Sequence, residues 1–179
     1  MGGFSGTSTY YNDVMKYTTT TNTWNTIIPS SGTYTGRYCH TATLYNDGIY
    51  IISGRGSSGT INDLKLFNIT TTIWTTITPT SGSLFSRQSH TATLYNDDIY
   101  VIGGYNPTGE QRNDVVKYSI TDNTWTDITS SSGTLLEREG HTATLYNDEI
   151  YVIGGKLQGN VPITLTLTLT LTLRWYCHK

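Results

Sequence analysis

Apolar positions along this chain come in short runs bounded by Asn, Asp, Gly and Ser, and no segment sustains the 3.6-residue apolar period of a helix. Runs of this length, rich in β-branched and aromatic residues and punctuated by turn formers, read as strands. His40 to Tyr45 is one such run. Asn46-Asp47-Gly48 follows, with residue types that tolerate the positive φ of a tight hairpin turn. Ile49 to Ile52 is a second strand ending at Ser53-Gly54, a third begins near Asp63 and runs through Phe67, and a fourth surrounds Trp74 and ends near Ile77.

This pattern recurs. The segment His-Thr-Ala-Thr-Leu-Tyr-Asn-Asp begins at His40, His90 and His141, at spacings of 50 and 51 residues. The same step separates Asn12-Asp13, Asn62-Asp63 and Asn113-Asp114; Trp24, Trp74 and Trp125; and Arg37, Arg87 and Arg138. A fixed period shared by independent landmarks indicates a repeat architecture. Four antiparallel strands in each period of about 50 residues predict a propeller blade that its neighbours must cover. The glycine pair closing the second strand, Gly103-Gly104 and Gly154-Gly155 in later copies, fits a place where sheets or loops approach closely.

The unit resembles a kelch repeat: Tyr-Val-Ile-Gly-Gly at 100–104 and 151–155, Asn-Asp-Val at 113–115, Tyr118, and Thr-Asp-Asn-Thr-Trp at 121–125. The resemblance covers residues 2 to about 155. It implies an all-β, kelch-type β-propeller with the first strand of each blade against a central channel and the Trp strand outermost. Along the chain the expectation is a partial blade at 1–28, whole blades at 37–78 and 87–129, and a partial blade at 138–155. That is an incomplete propeller of about three to four four-stranded blades, a fragment or truncated product. Kelch propellers commonly share one blade between their chain ends, and the half at 141–155 is a possible mate for that at 10–28. Residues 156–179 form a low-complexity tail with strict Thr/Leu alternation from Ile163 to Leu173; Trp175, 50 residues after Trp125, marks a possible degenerate blade strand.

Composition narrows the function. Of 179 residues only 13% are charged, and 11 Lys and Arg against 13 Asp and Glu leave a net charge of −2. That balance offers neither the basic field of a nucleic-acid binder nor a polybasic membrane patch. No run of about 18 apolar residues is present to span a bilayer. Two cysteines, Cys39 and Cys177, and a start without an apolar leader point to a cytoplasmic location.

Arg37, Arg87 and Arg138 precede the inner strands, and by the resemblance they lie near the channel mouth. A planar guanidinium fork suits carboxylates, so three at one mouth would recognise a protein partner with an acidic segment. The alternative is structural: arginines that cap carbonyls or pair with neighbouring blades. The loops after the diglycine differ between copies, and variable loops on a rigid frame carry binding. They contribute Phe4, Arg55, Tyr105 and Arg112, side-chain types enriched at interface hot spots. Three His residues at equivalent positions invite a metal, but a hydrogen-bonded His opening each strand is the expected role. The Asn-Asp pairs at 46/47, 96/97 and 147/148 are turn formers without calcium-loop spacing.

Neither catalytic motifs nor cofactor sites are predicted. The copper oxidases that resemble this fold need a Tyr cross-linked to Cys, a second Tyr and two His, one from a further domain; this chain offers Tyr38-Cys39-His40. The expected function is a non-catalytic protein-interaction module, with self-association through open propeller edges. The alternative is a fragment of a propeller oxidase or a carbohydrate-binding propeller.

Overall fold

The computed structural model describes residues 1–157, which contain strands, turns and connections and no helix. The Thr/Leu tail from Ile163 and Trp175 lie outside the described residues. The chain opens with the hairpin β1 (Val14–Thr18) and β2 (Thr23–Ile27). A four-stranded antiparallel sheet follows, built from β3 (Thr41–Tyr45), β4 (Gly48–Ile52), β7 (Leu64–Asn68) and β8 (Ile73–Ile77) in that spatial order. A small hairpin, β5 (Arg55–Gly56) and β6 (Gly59–Thr60), rises between its second and third strands. The next sheet is β9 (Thr91–Tyr95), β10 (Asp98–Tyr105), β11 (Gln111–Ser119) and β12 (Thr124–Asp127). The last is the hairpin β13 (Thr142–Tyr146) and β14 (Glu149–Ile153).

Each sheet is a blade, and consecutive first strands, β3, β9 and β13, lie side by side. The architecture is an incomplete kelch-type propeller: two whole blades flanked by two half-blades, β1–β2 and β13–β14, which are not paired with each other. In the hairpin turns Asn46, Asn96 and Asn147 take positive φ of 49°, 53° and 46°, as their chemistry allows. Gly48 is the first residue of β4 and outside the turn.

The core lies between blades. Tyr50, Ile52 and Leu64 of the first whole blade meet Ile99, Val101, Val116, Tyr118 and Trp125 of the second, with Leu84 from the connection. On its other side, Ile51, Phe67 and Trp74 pack with Val14 and Tyr34. Alternation in β4 thus sends Ile51 to one neighbour and Tyr50 and Ile52 to the other. At the ends of the row this cover is missing. Trp74 and Trp125 are 5% and 7% exposed, whereas the equivalent Trp24 is 65% exposed. Ile52 is fully buried, whereas the equivalent Ile153 is 66% exposed.

The connection into each blade is clamped on the outer strand of that blade. Ser31 and Ser81 form parallel bridges to Ile73 and Thr124. Beside them Gly32 and Gly82, at φ of 80° and 68°, lie so close to the Trp74 and Trp125 carbonyls that a Cβ would stand 2.0 Å from the oxygen. Gly82→Ala therefore combines a left-handed backbone with a backbone clash. It should lower stability by about 2–3 kcal/mol or more, read as the midpoint shift in urea denaturation followed by far-ultraviolet circular dichroism.

Candidate functional site

The repeated arginines sit where three segments of one blade meet. The Arg87 guanidinium donates from Nη1 and Nη2 to the two carboxylate oxygens of Asp114, both at 2.8 Å. Nη1 also donates to the Gly103 carbonyl at 2.9 Å, and Nε to the Phe85 carbonyl at 3.1 Å. Arg37 repeats this with Asp63, Ser53 and Thr35, and its guanidinium lies 4.8 Å over the Tyr34 ring. Both arginines are completely buried. A side chain without solvent exposure cannot offer its fork to a partner, so the partner-facing expectation for Arg37 and Arg87 is corrected: their donors hold the blade together.

Arg138 is the exception. It donates to the Leu136 and Gly154 carbonyls at 3.0 and 2.9 Å, copying its equivalents. No carboxylate reaches it among the described residues, and it stays partly exposed.

The histidines form a series between blades. The Thr41 hydroxyl and His90 Nε2 share a hydrogen bond of 3.0 Å, and Thr91 and His141 Nε2 one of 2.9 Å. Each inner strand thus grips the next. Burial, with the Arg37 guanidinium nearby, pushes His40 down to about 4. Burial and Arg87 push His90 down to about 3, and burial and Arg138 lower His141. All three rings are neutral at physiological pH, and among the described residues no group of three His, Cys, Asp or Glu is placed to hold a metal ion.

The variable loops meet the arginine connections at one end of the blades. Gly3, Gly54 and Gly104 donate their N–H groups to the carbonyls of Arg37, Arg87 and Arg138 at 2.8, 2.9 and 2.8 Å. Reciprocal backbone bonds then join Tyr38 to Arg55, Gln88 to Tyr105, and Glu139 to Lys156. Phe4 stacks on Tyr38 with centroids 5.3 Å apart and lies 4.9 Å from Tyr10. Arg55 is exposed, and Tyr105 is half-buried within the longer hairpin of β10 and β11. Arg112 donates from Nε to Asp114 at 3.1 Å and lies over the Phe85 ring. A groove of about 360 Å³ beside it is lined by Glu110, Gln111, Arg112, Asn113 and Glu137. The structure therefore brings Phe4, Arg55, Tyr105, Arg112 and Arg138 to one end of the blades. Tyr10 joins them without having been singled out in the sequence, since Tyr is common throughout this chain, and Tyr38, considered there only against an oxidase site, joins them too.

A family model described as the KLHDC2/KLHL20/DRC7 Kelch-repeats domain matches residues 1–155. No curated protein matches the chain.

Two outcomes follow from the buried groups. Arg87→Ala leaves Asp114 only its single bond from Arg112 and should destabilise the chain by about 3 kcal/mol, whereas Arg55→Ala on the surface should change stability by less than about 0.5 kcal/mol; chemical denaturation of both variants checks this. The histidines set a pH dependence. Their folded pKa values lie below the unfolded value of about 6.5, so their stabilisation is complete above that pH. It is lost as pH falls from there toward 4 and 3 for His40 and His90, by up to about 1.4 kcal/mol per pH unit per histidine. The His90→Gln variant should show a shallower loss in denaturation midpoints measured across that window.

Proposed function

The chain belongs to the kelch-repeat family, whose domains are generally protein-interaction modules, and from that membership we propose that it is a non-catalytic module binding a protein partner through its blade-end loops. The observation that supports this reading is the convergence of Phe4, Tyr10, Tyr38 and Arg55 at one end of a blade, with Tyr105 and Arg112 at the corresponding end of another. Variable loops are held there by backbone bonds to invariant parts of the repeat, the arrangement in which loop chemistry sets the partner while the frame stays fixed. Aromatic rings and guanidiniums are the groups that anchor interfaces.

With Arg37 and Arg87 internal, recognition of an acidic segment rests on Arg55 and Arg112. The exposed thiol of Cys39, unpaired among the described residues, suits a reducing, cytoplasmic compartment. Self-association through the uncovered end blades is part of the same reading, because large apolar side chains there lack the neighbours their equivalents have.

Pull-down with the immobilised full chain should recover a stoichiometric protein partner that high salt releases. The double variant Phe4→Ser with Arg55→Glu should reduce that capture at least about tenfold, the loss expected when a hot spot worth about 2 kcal/mol is removed, while its circular dichroism spectrum stays unchanged. Undiminished capture by a folded variant would move the interface away from these loops.

A further inference from the structure

The two half-blades carry complementary halves of interactions that whole blades complete internally. In a whole blade the Arg fork from the connection closes on an Asp at the start of the third strand, as in Arg87 with Asp114. The half-blade β13–β14 has the fork, Arg138, and no carboxylate closes on it among the described residues. The half-blade β1–β2 has the acid, Asp13, exposed and without an ion pair among the described residues.

Other pairs are divided in the same way. In the second whole blade Lys117 of β11 binds Asp98 of β10 at 2.7 Å. By the repeat, the equivalents are Lys16 on β1 and Glu149 on β14, opposite charges that stand exposed on separate half-blades. His90 and His141 each have a Thr from the preceding inner strand, whereas among the described residues His40 has no hydrogen-bond partner and Thr142 has no His following it. Gly32 and Gly82 cover the Trp74 and Trp125 carbonyls. Among the described residues Gly133 holds the same left-handed backbone at φ 71° with nothing within 4 Å, and no glycine lies over Trp24.

We propose that two copies of this chain close into one ring, the β13–β14 half-blade of each completing the β1–β2 half-blade of the other. This rests on the self-association part of the reading above and specifies its partner, faces and stoichiometry. The register follows from β10 and β11, in which Asp98 faces Ser119 and Ile102 faces Val115: Glu149 of one copy faces Thr18 of the other, and Ile153 faces Val14. Arg138 then forks onto Asp13, Glu149 meets Lys16, Thr142 reaches His40, and Gly133 with Leu135 covers Trp24.

Blade number selects two copies. The described residues of each chain bring two whole blades and the halves of two more. One copy closing on itself gives three blades and three copies give nine, both outside the usual range of about 4 to 8. Two copies give six. The contact is isologous and closed, with each half-blade used once, so growth stops at the dimer. The two diglycines, Gly2-Gly3 and Gly154-Gly155, are copies of one step, so only one occupies it in each shared blade.

Light scattering coupled to size exclusion on the full chain should give twice the 19.9 kDa monomer mass. Asp13→Asn should weaken the dimer at least about a hundredfold, the loss of one partner of a buried ion pair. Lys16→Glu and Glu149→Lys, both on exposed side chains, should each weaken it about tenfold through like-charge pairs across the shared strands. An equimolar mixture of these two variants should recover wild-type dimerisation, because every shared blade then again joins opposite charges. A particle larger than one copy that ignores Asp13→Asn and the charge exchange would overturn this closure and leave self-association by another route intact. A monomer throughout, or open-ended growth, would overturn it as well.

Discussion

The bidentate ion pair that in each whole blade joins the arginine before the inner strand to an aspartate of the third-strand segment is the constraint on which the blade depends. One guanidinium ties together the connection entering the blade, the turn after its second strand and the start of its third. Taking these charges out of water is unfavourable, and such a pair is no stabiliser relative to well-packed apolar groups. Its value here is geometric. A carboxylate and two carbonyls around one planar fork accept only one arrangement, so the loop after the diglycine leaves the blade at a fixed point. The proposed interaction surface inherits its shape from that buried pair.

Between blades the connections are of a different kind. Apolar contact supplies the bulk of the attachment, since β4 and β10 bury side chains toward both neighbours. The direction is supplied by small polar contacts: a threonine to the next histidine at both seams, and at the first seam Tyr45 to Asp97 at 2.9 Å. The neutral histidines fit this role, because a proton on either His90 or His141 would sit in an apolar seam beside an arginine. The same seam therefore couples the state of the ring to acidity without any residue having been placed there as a sensor.

The strands and their order were legible because the period is exposed in the sequence by independent landmarks, and the diglycine, turn and tryptophan each carry a local physical reason. The role of the arginines was not. A repeated Arg reads as a surface recognition group, since Arg is seldom buried and its fork chemistry is the same whether it faces a partner or an internal carboxylate. A signal was available: Asp63 and Asp114 keep the arginine period, and no acid occupies that step after Arg138. The left-handed backbone of Cys39, Ser89 and Gly140 was equally hidden, because three different residue types stand at one strained position and only the glycine announces it. Phe4, Arg55, Tyr105 and Arg112 could be singled out by their type, but the clamps that gather them at one end are backbone bonds, which leave no trace in side-chain identity.

The near identity of the seams has a consequence for how the chain finds its fold. His90 and His141 offer the same ring to the same threonine, and Gly32 and Gly82 the same cleft to the same carbonyl, so the mating surfaces carry no address. A blade docked beside the wrong neighbour satisfies the contacts of a right one. Sequence order is enforced only by the tether between strands, residues 28–40 and 78–90, whose short loop closure favours the adjacent blade over a more distant one. Lengthening either tether would remove that enforcement, and the native arrangement would then have to compete with permuted ones of nearly equal energy, a frustrated landscape made by repetition itself.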